Sequence, residues 1–146
     1  MRKIFLLMMI PILSFAQMQF ADPQPTFDNP RKWVIKLRTD DPVTVNHLLS
    51  SIYNVLAEYP SEAINITVVT YASGVRVLRK DYVNTVATTR INSLMQYDVE
   101  FIACENTMDT MKWKHDEFID DISYVKAGIV EIIEKVTDGY IEVTPY

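Results

Sequence analysis

The sequence predicts an α/β domain, a three-layer α/β/α sandwich around a mostly parallel sheet of about five strands. Three observations lead there. Strand-like and helix-like segments alternate five times between Trp33 and Val143. The run Ile64 to Tyr71, INITVVTY, is rich in β-branched residues, as befits a strand buried on both faces. The chain of 146 residues, 49% hydrophobic and 23% charged, suits one domain with a single core.

The first strand is read at Trp33-Val34-Ile35-Lys36-Leu37. Thr39-Asp40-Asp41-Pro42 is a turn, with Pro42 suited to a first helical turn. Val45, Leu48, Leu49, Ile52, Val55, Leu56 and Tyr59 then recur at helical spacing until Pro60. After the second strand, Ser73-Gly74 breaks the chain. Val75 to Leu78 fits either a short helix or an added strand. Tyr82 to Tyr97 reads as a helix, with Val83, Val86, Ala87, Arg90, Ile91, Leu94 and Met95 inward, though its threonines are weak helix formers. Val99 to Ala103 is a third strand ending at Cys104. A short helix from Asn106 to Trp113 follows, with Asn106 as its cap and Asp109 in place of the usual capping-box Glu or Gln. His115 to Asp121 is a turn or irregular helix, and Ile122 to Val125 a fourth strand. The last helix spans Ala127 to Val136, with Ile129, Ile132, Ile133 and Val136 inward and Gly139 as its stop. Tyr140 to Val143 is a fifth strand.

The first 30 residues stand apart. Arg2 and Lys3 precede the uncharged run Ile4 to Ala16, and Ser14 and Ala16 occupy the −3 and −1 positions of a small-residue cleavage site. This is the pattern of a secretory signal peptide, residues 1–16, cleaved after Ala16. This run of 13 residues falls short of the ~20 that a spanning helix needs. Residues 17–30 hold three prolines and read as a linker or extended arm before a domain at 31–146. The expectation is a periplasmic protein, free of the membrane once cleaved. Without Arg2 and Lys3, 12 basic residues face 19 acidic ones, a net charge of −7. That balance excludes general nucleic-acid binding.

A single cysteine excludes an internal disulfide and a cysteine-built zinc site. In an exported chain Cys104 is open to three readings: intermolecular pairing, a reactive thiol, or a buried small hydrophobe. Chemistry in parallel sheets gathers at the carboxyl ends of strands. Four places qualify: Arg38 to Asp41, Tyr71 to Gly74, Cys104 to Thr107, and Lys126 to Gly128. Asp40 and Asp41 would repel a phosphate, which excludes a nucleotide or flavin loop there. Their acidic pair resembles that of bacterial receiver domains, but the third strand end holds Cys104 in place of an aspartate. The plainer reading is charge at a helix N-terminus. His47 falls between core positions and reads as structural. His115, eleven residues beyond Cys104, is a candidate partner for the thiol. Cys104 itself sits between a strand and a helix start, where free N–H groups lower a thiol pKa. Glu105 opposes this if its side chain turns toward the sulfur.

At Ala103-Cys104-Glu105-Asn106-Thr107-Met108 the chain resembles the DsrE/DsrF-like family, in particular exported members with an A-C-x-N-T-M signature. Trp33 to Leu37 with Thr39-Asp40-Asp41 is similar to the family's first strand and loop. Ile66 to Leu78 is similar to its second strand, glycine turn and short helix. Val125 to Ile133, VKAGIVEII, resembles its V-x-A-G-V-x-E-L-I segment, and Gly139 to Pro145 its last strand. The resemblance spans about residues 31–146. It implies a three-layer domain that forms oligomers, and sulfur relay through a persulfide on Cys104. Asn106 and Thr107 match the motif without an assigned role. Asp40, Asp41 and Gly128 are possible neighbours of the site. The implied partners are a second copy and a sulfur donor or acceptor, protein or small compound. No metal or cofactor is implied.

Two further readings stand beside the carrier. One is an oligomeric binding or assembly module in which Cys104 merely packs. The other is a ligand or metal site made by Asp40, Asp41 and Cys104, which requires the first and third strands to be neighbours. The apolar Val75 to Leu78 segment is the expected contact surface between copies.

Overall fold

A computed structural model describes residues 18–146. Residues 1–16, expected to be a signal peptide, lie outside the described residues. Five strands form one sheet: β1 (Arg31–Leu37), β2 (Ile64–Thr70), β3 (Glu100–Cys104), β4 (Ser123–Val125) and β5 (Ile141–Glu142). Their order is β4-β3-β2-β1-β5, and every neighbouring pair is parallel. The helices are α1 (Pro42–Glu58), α2 (Thr85–Met95), α3 (Glu105–Met111) and α4 (Gly128–Thr137). Short 3₁₀ helices occupy Ala72–Leu78 and His115–Glu117.

The two faces of the sheet are covered unequally. Trp33, Ile35, Leu37, Ile66, Val68, Phe101 and Ala103 meet α1, α2, α3 and the first 3₁₀ helix in the main core. On the other face, among the described residues, a smaller cluster of Val34, Val69 and Ile102 packs with Ile132 of α4, edged by Tyr71, Val125 and Tyr140. That asymmetry explains why α4 departs from its expected facing. Of its four predicted inward positions only Ile132 is buried, while Ile129, Ile133 and Val136 are about half exposed along with Val130.

Ala72–Leu78 settles the open choice as a 3₁₀ helix. It overturns the expected contact surface, because Val75, Val77 and Leu78 are fully buried against the sheet. Gly74 permits this by lying where a Cβ would come within 2.1 Å of the Leu37 carbonyl oxygen. Helix α2 starts three residues later than its periodicity predicts. Asn84 caps it by accepting the Ala87 N–H at 3.1 Å. Tyr82 stays outside the helix and donates its hydroxyl to the Asp40 carbonyl. Val83 and Val86, read as inward, are therefore exposed, and Ala87, Ile91 and Leu94 carry the packing. His47 lies on the solvent face of α1, not in the core.

Residues 18–30 carry no regular element beyond a Thr26–Asn29 bridge, and they fold back onto the domain. The Arg31 guanidinium donates to the Ala21 and Pro23 carbonyls, and the Phe20 ring rests 4.6 Å from that of Tyr59.

Candidate active site

Cys104 is both the last residue of β3 and the N-cap of α3. It pairs with Val125 in the sheet ladder, so the helix starts at Glu105. This corrects the expected cap: Asn106 is the second helical residue and Thr107 the third. The cap side chain is the one that the first N–H groups of a helix face. Here it is a thiol, and it closes no formed cap bond.

A second helix reaches the same sulfur. The alternation of β3 puts Cys104 on the α4 side, with Ile102. The Gly128 N–H, at the first residue of α4, donates to Sγ at 3.3 Å. The space at Gly128 is tight. A Cβ there would press at 3.3 Å on the Cys104 Cβ, the Tyr71 Cβ and Val69 Cγ1. The thiol lies 3.9 Å from the Lys126 carbonyl, to which it donates when protonated.

These contacts set the protonation balance. Burial pushes the Cys104 thiol up, but the Gly128 N–H and the Thr107 N–H and hydroxyl favour the anion and hold the thiol below its usual range. The Asn106 N–H contributes less, being committed to the Lys126 carbonyl at 3.0 Å. Thr107 is suited to its part. Its Oγ1 accepts the Ala72 N–H at 3.2 Å, which leaves the hydroxyl proton for the sulfur.

Glu105 and His115 pair with each other at 3.1 Å, and His115 stacks on Tyr124 at 4.2 Å. The structure therefore gives the imidazole to Glu105, not to Cys104. Asp41 caps α1, accepting both the Thr44 N–H and its hydroxyl. Those bonds lower its pKa. Asp40 pairs with Arg76 at 3.1 Å. Because β2 separates β1 from β3, the combined Asp40, Asp41 and Cys104 site does not form. Among the described residues, no three His, Cys, Asp or Glu side chains lie close enough to hold a metal ion.

The family model described as the DsrE/DsrF-like family matches residues 42–145. The chain belongs to the DsrE/DsrF-like family. A solved structure of a protein of unknown function from Methanobacterium thermoautotrophicum is similar at 29% identity and a TM-score of 0.73. The match covers 79% of this chain and 99% of that one. No curated protein matches significantly.

In this DsrE/DsrF-like chain two clefts flank α3. One, of about 440 Å³, is lined by Ser73, Arg76, Asn106, Thr107, Thr110 and Trp113 among others. The other, of about 350 Å³, lies by Glu105, His115 and Lys126. A larger cavity, about 780 Å³, is elsewhere, beside Tyr53, Tyr59 and Tyr97 near the start of β2. Its size does not make it the site, because the perturbed thiol is at the other end of the strands. Sequence reasoning missed Arg76 and Trp113, whose rings and charge meet only through the fold. The signal for Gly128 was present: a glycine at a helix start that no turn requires.

Proposed function

We propose that this chain is an exported sulfur carrier that holds sulfane sulfur on Cys104 as a persulfide. The observation that carries the reading is the seat of the thiol. Sγ receives the Gly128 N–H from α4 and occupies the cap position of α3. Thiolate and persulfide are both anions, and the same donors favour both. Membership of the DsrE/DsrF-like family supports sulfur chemistry at this cysteine. Export rests on the residue pattern of 1–16 alone.

Intact-mass measurement tests the carrier. Incubation of the reduced protein with a sulfane-sulfur donor is expected to add one sulfur, about 32 Da, and Cys104→Ser to abolish the adduct. No addition, or addition that survives the substitution, overturns the reading.

Self-association is proposed alongside it. Its support is the exposed stripe Ile129, Ile133 and Val136 on α4, with Val130 beside it. Soluble monomers rarely leave so much contiguous apolar surface uncovered. Light scattering is expected to give a multiple of the chain mass, reduced by Ile133→Glu. A monomer at every concentration removes this proposal and leaves the carrier untouched.

A further inference from the structure

We propose that the cavity at the opposite end of the sheet from Cys104 binds a small organic ammonium ion. It holds about 780 Å³, a volume typical of small-molecule sites. Ile64 lines it at the start of β2, and the β2–β3 ladder puts Cys104 beyond the far end of the same strand. The 7 residues of β2 separate the two, roughly 23 Å at ~3.3 Å per residue. The cavity is no part of the thiol site, so the inference stands apart from the carrier reading.

The lining selects for charge. Four aromatic side chains, Phe27, Tyr53, Tyr59 and Tyr97, share it with the carboxylates of Glu62 and Asp98. Among the described residues that line it there is no Lys, Arg or His. Neither carboxylate enters an ion pair among the described residues. An aromatic face carries the negative part of the ring quadrupole, so rings and carboxylates both favour a cation. Two carboxylates are too few to hold a bare metal ion, and no larger group of ligating side chains is found among the described residues. An ammonium ion with alkyl substituents matches both kinds of lining, its carbon on the rings and its charge toward the acids.

The chain makes this kind of contact itself, with the Arg90 guanidinium over the Tyr53 ring at 5.3 Å. Phe27 and Tyr97 are left open, 71% and 64% exposed, and among the described residues no cation of the chain lies over either ring. Phe27 and Pro30 bring one wall from the extended arm. The arm is fastened for this by the bonds of Arg31 to the Ala21 and Pro23 carbonyls and by Phe20 against Tyr59.

The test titrates isotope-labelled protein with choline and with the uncharged alcohol in which carbon replaces its nitrogen, and follows the amide chemical shifts. Choline is expected to shift the amides of residues 59–62 and 96–98 saturably, and the alcohol to bind at least about fivefold more weakly. Phe27→Ala and Tyr97→Ala should each weaken choline by about fivefold, while Tyr97→Phe keeps the affinity. Glu62→Gln combined with Asp98→Asn should weaken it as well. Asp98 has φ 59°, a conformation that Asn adopts readily, so its charge is removed without backbone cost. Unmoved amides in β1 and β2 show that each variant is folded. Choline without saturable shifts at tens of millimolar, an alcohol that binds equally well, or one affinity across parent and variants overturns the site. None of these outcomes bears on mass addition at Cys104.

Discussion

Gly74→Ala will destabilise the domain by about 3 kcal/mol or more, the upper end of what overpacking costs. An alanine methyl would sit 2.1 Å from the Leu37 carbonyl oxygen and 2.6 Å from its carbon. Neither atom can retreat. Leu37 ends a strand paired on both sides, and its carbonyl accepts the Tyr71 N–H at 3.1 Å. The 3₁₀ helix must therefore lift off the sheet, and with it the buried Val75, Val77 and Leu78. Urea unfolding of purified protein measures the loss. Gly128→Ala is the control: its methyl meets side-chain atoms at 3.3 Å, which give way by a few tenths of an ångström. An unchanged midpoint for Gly74→Ala would show that the close approach at Leu37 is misplaced.

The rate of Cys104 alkylation by iodoacetamide will rise with pH along a curve whose midpoint lies below that of a free thiol. Burial favours the neutral thiol, but the donors from Gly128 and Thr107 outweigh it. Thr107→Val keeps the shape of the side chain and removes the hydroxyl. The midpoint should move up, and the rate at neutral pH should fall roughly tenfold, as for a charge-assisted bond worth about 1.5 kcal/mol. The same shift fixes a sign for stability. The folded thiol deprotonates before the unfolded one, so its contribution is fully present above the unfolded value near ~8.5. That contribution is lost as pH falls through the folded value. A midpoint at or above the free-thiol value, indifferent to Thr107→Val, would contradict the seat described for the sulfur.

The site was legible in part. Cys104 was placed at a strand-to-helix junction because the apolar run before it and the polar run after it are both local. The cap was misread by two residues. Asn106 has the commoner capping side chain, yet the ladder pairing of Cys104 with Val125 brings the helix start forward to Glu105. Glu105 looked like an opponent of the thiolate, and only the fold shows that His115 engages it. Arg76 and Trp113 stand far apart in the chain and meet across two elements, so no spacing rule points to their contact.

The amino-acid sequence by itself determined the alternation of strands and helices, the α/β class, the family resemblance and the position of the single thiol. These follow from residue order within one element, where a period of 2 or 3.6 reports directly on burial. The tertiary structure alone decided the strand order that separates Asp40 and Asp41 from Cys104. It also decided that, among the described residues, α4 is the one helix on its face of the sheet, leaving Ile129, Ile133 and Val136 outward. An apolar stripe records that a helix has a face to bury. It does not record whether the surface opposite belongs to its own sheet, because that depends on how many helices the topology places on each side.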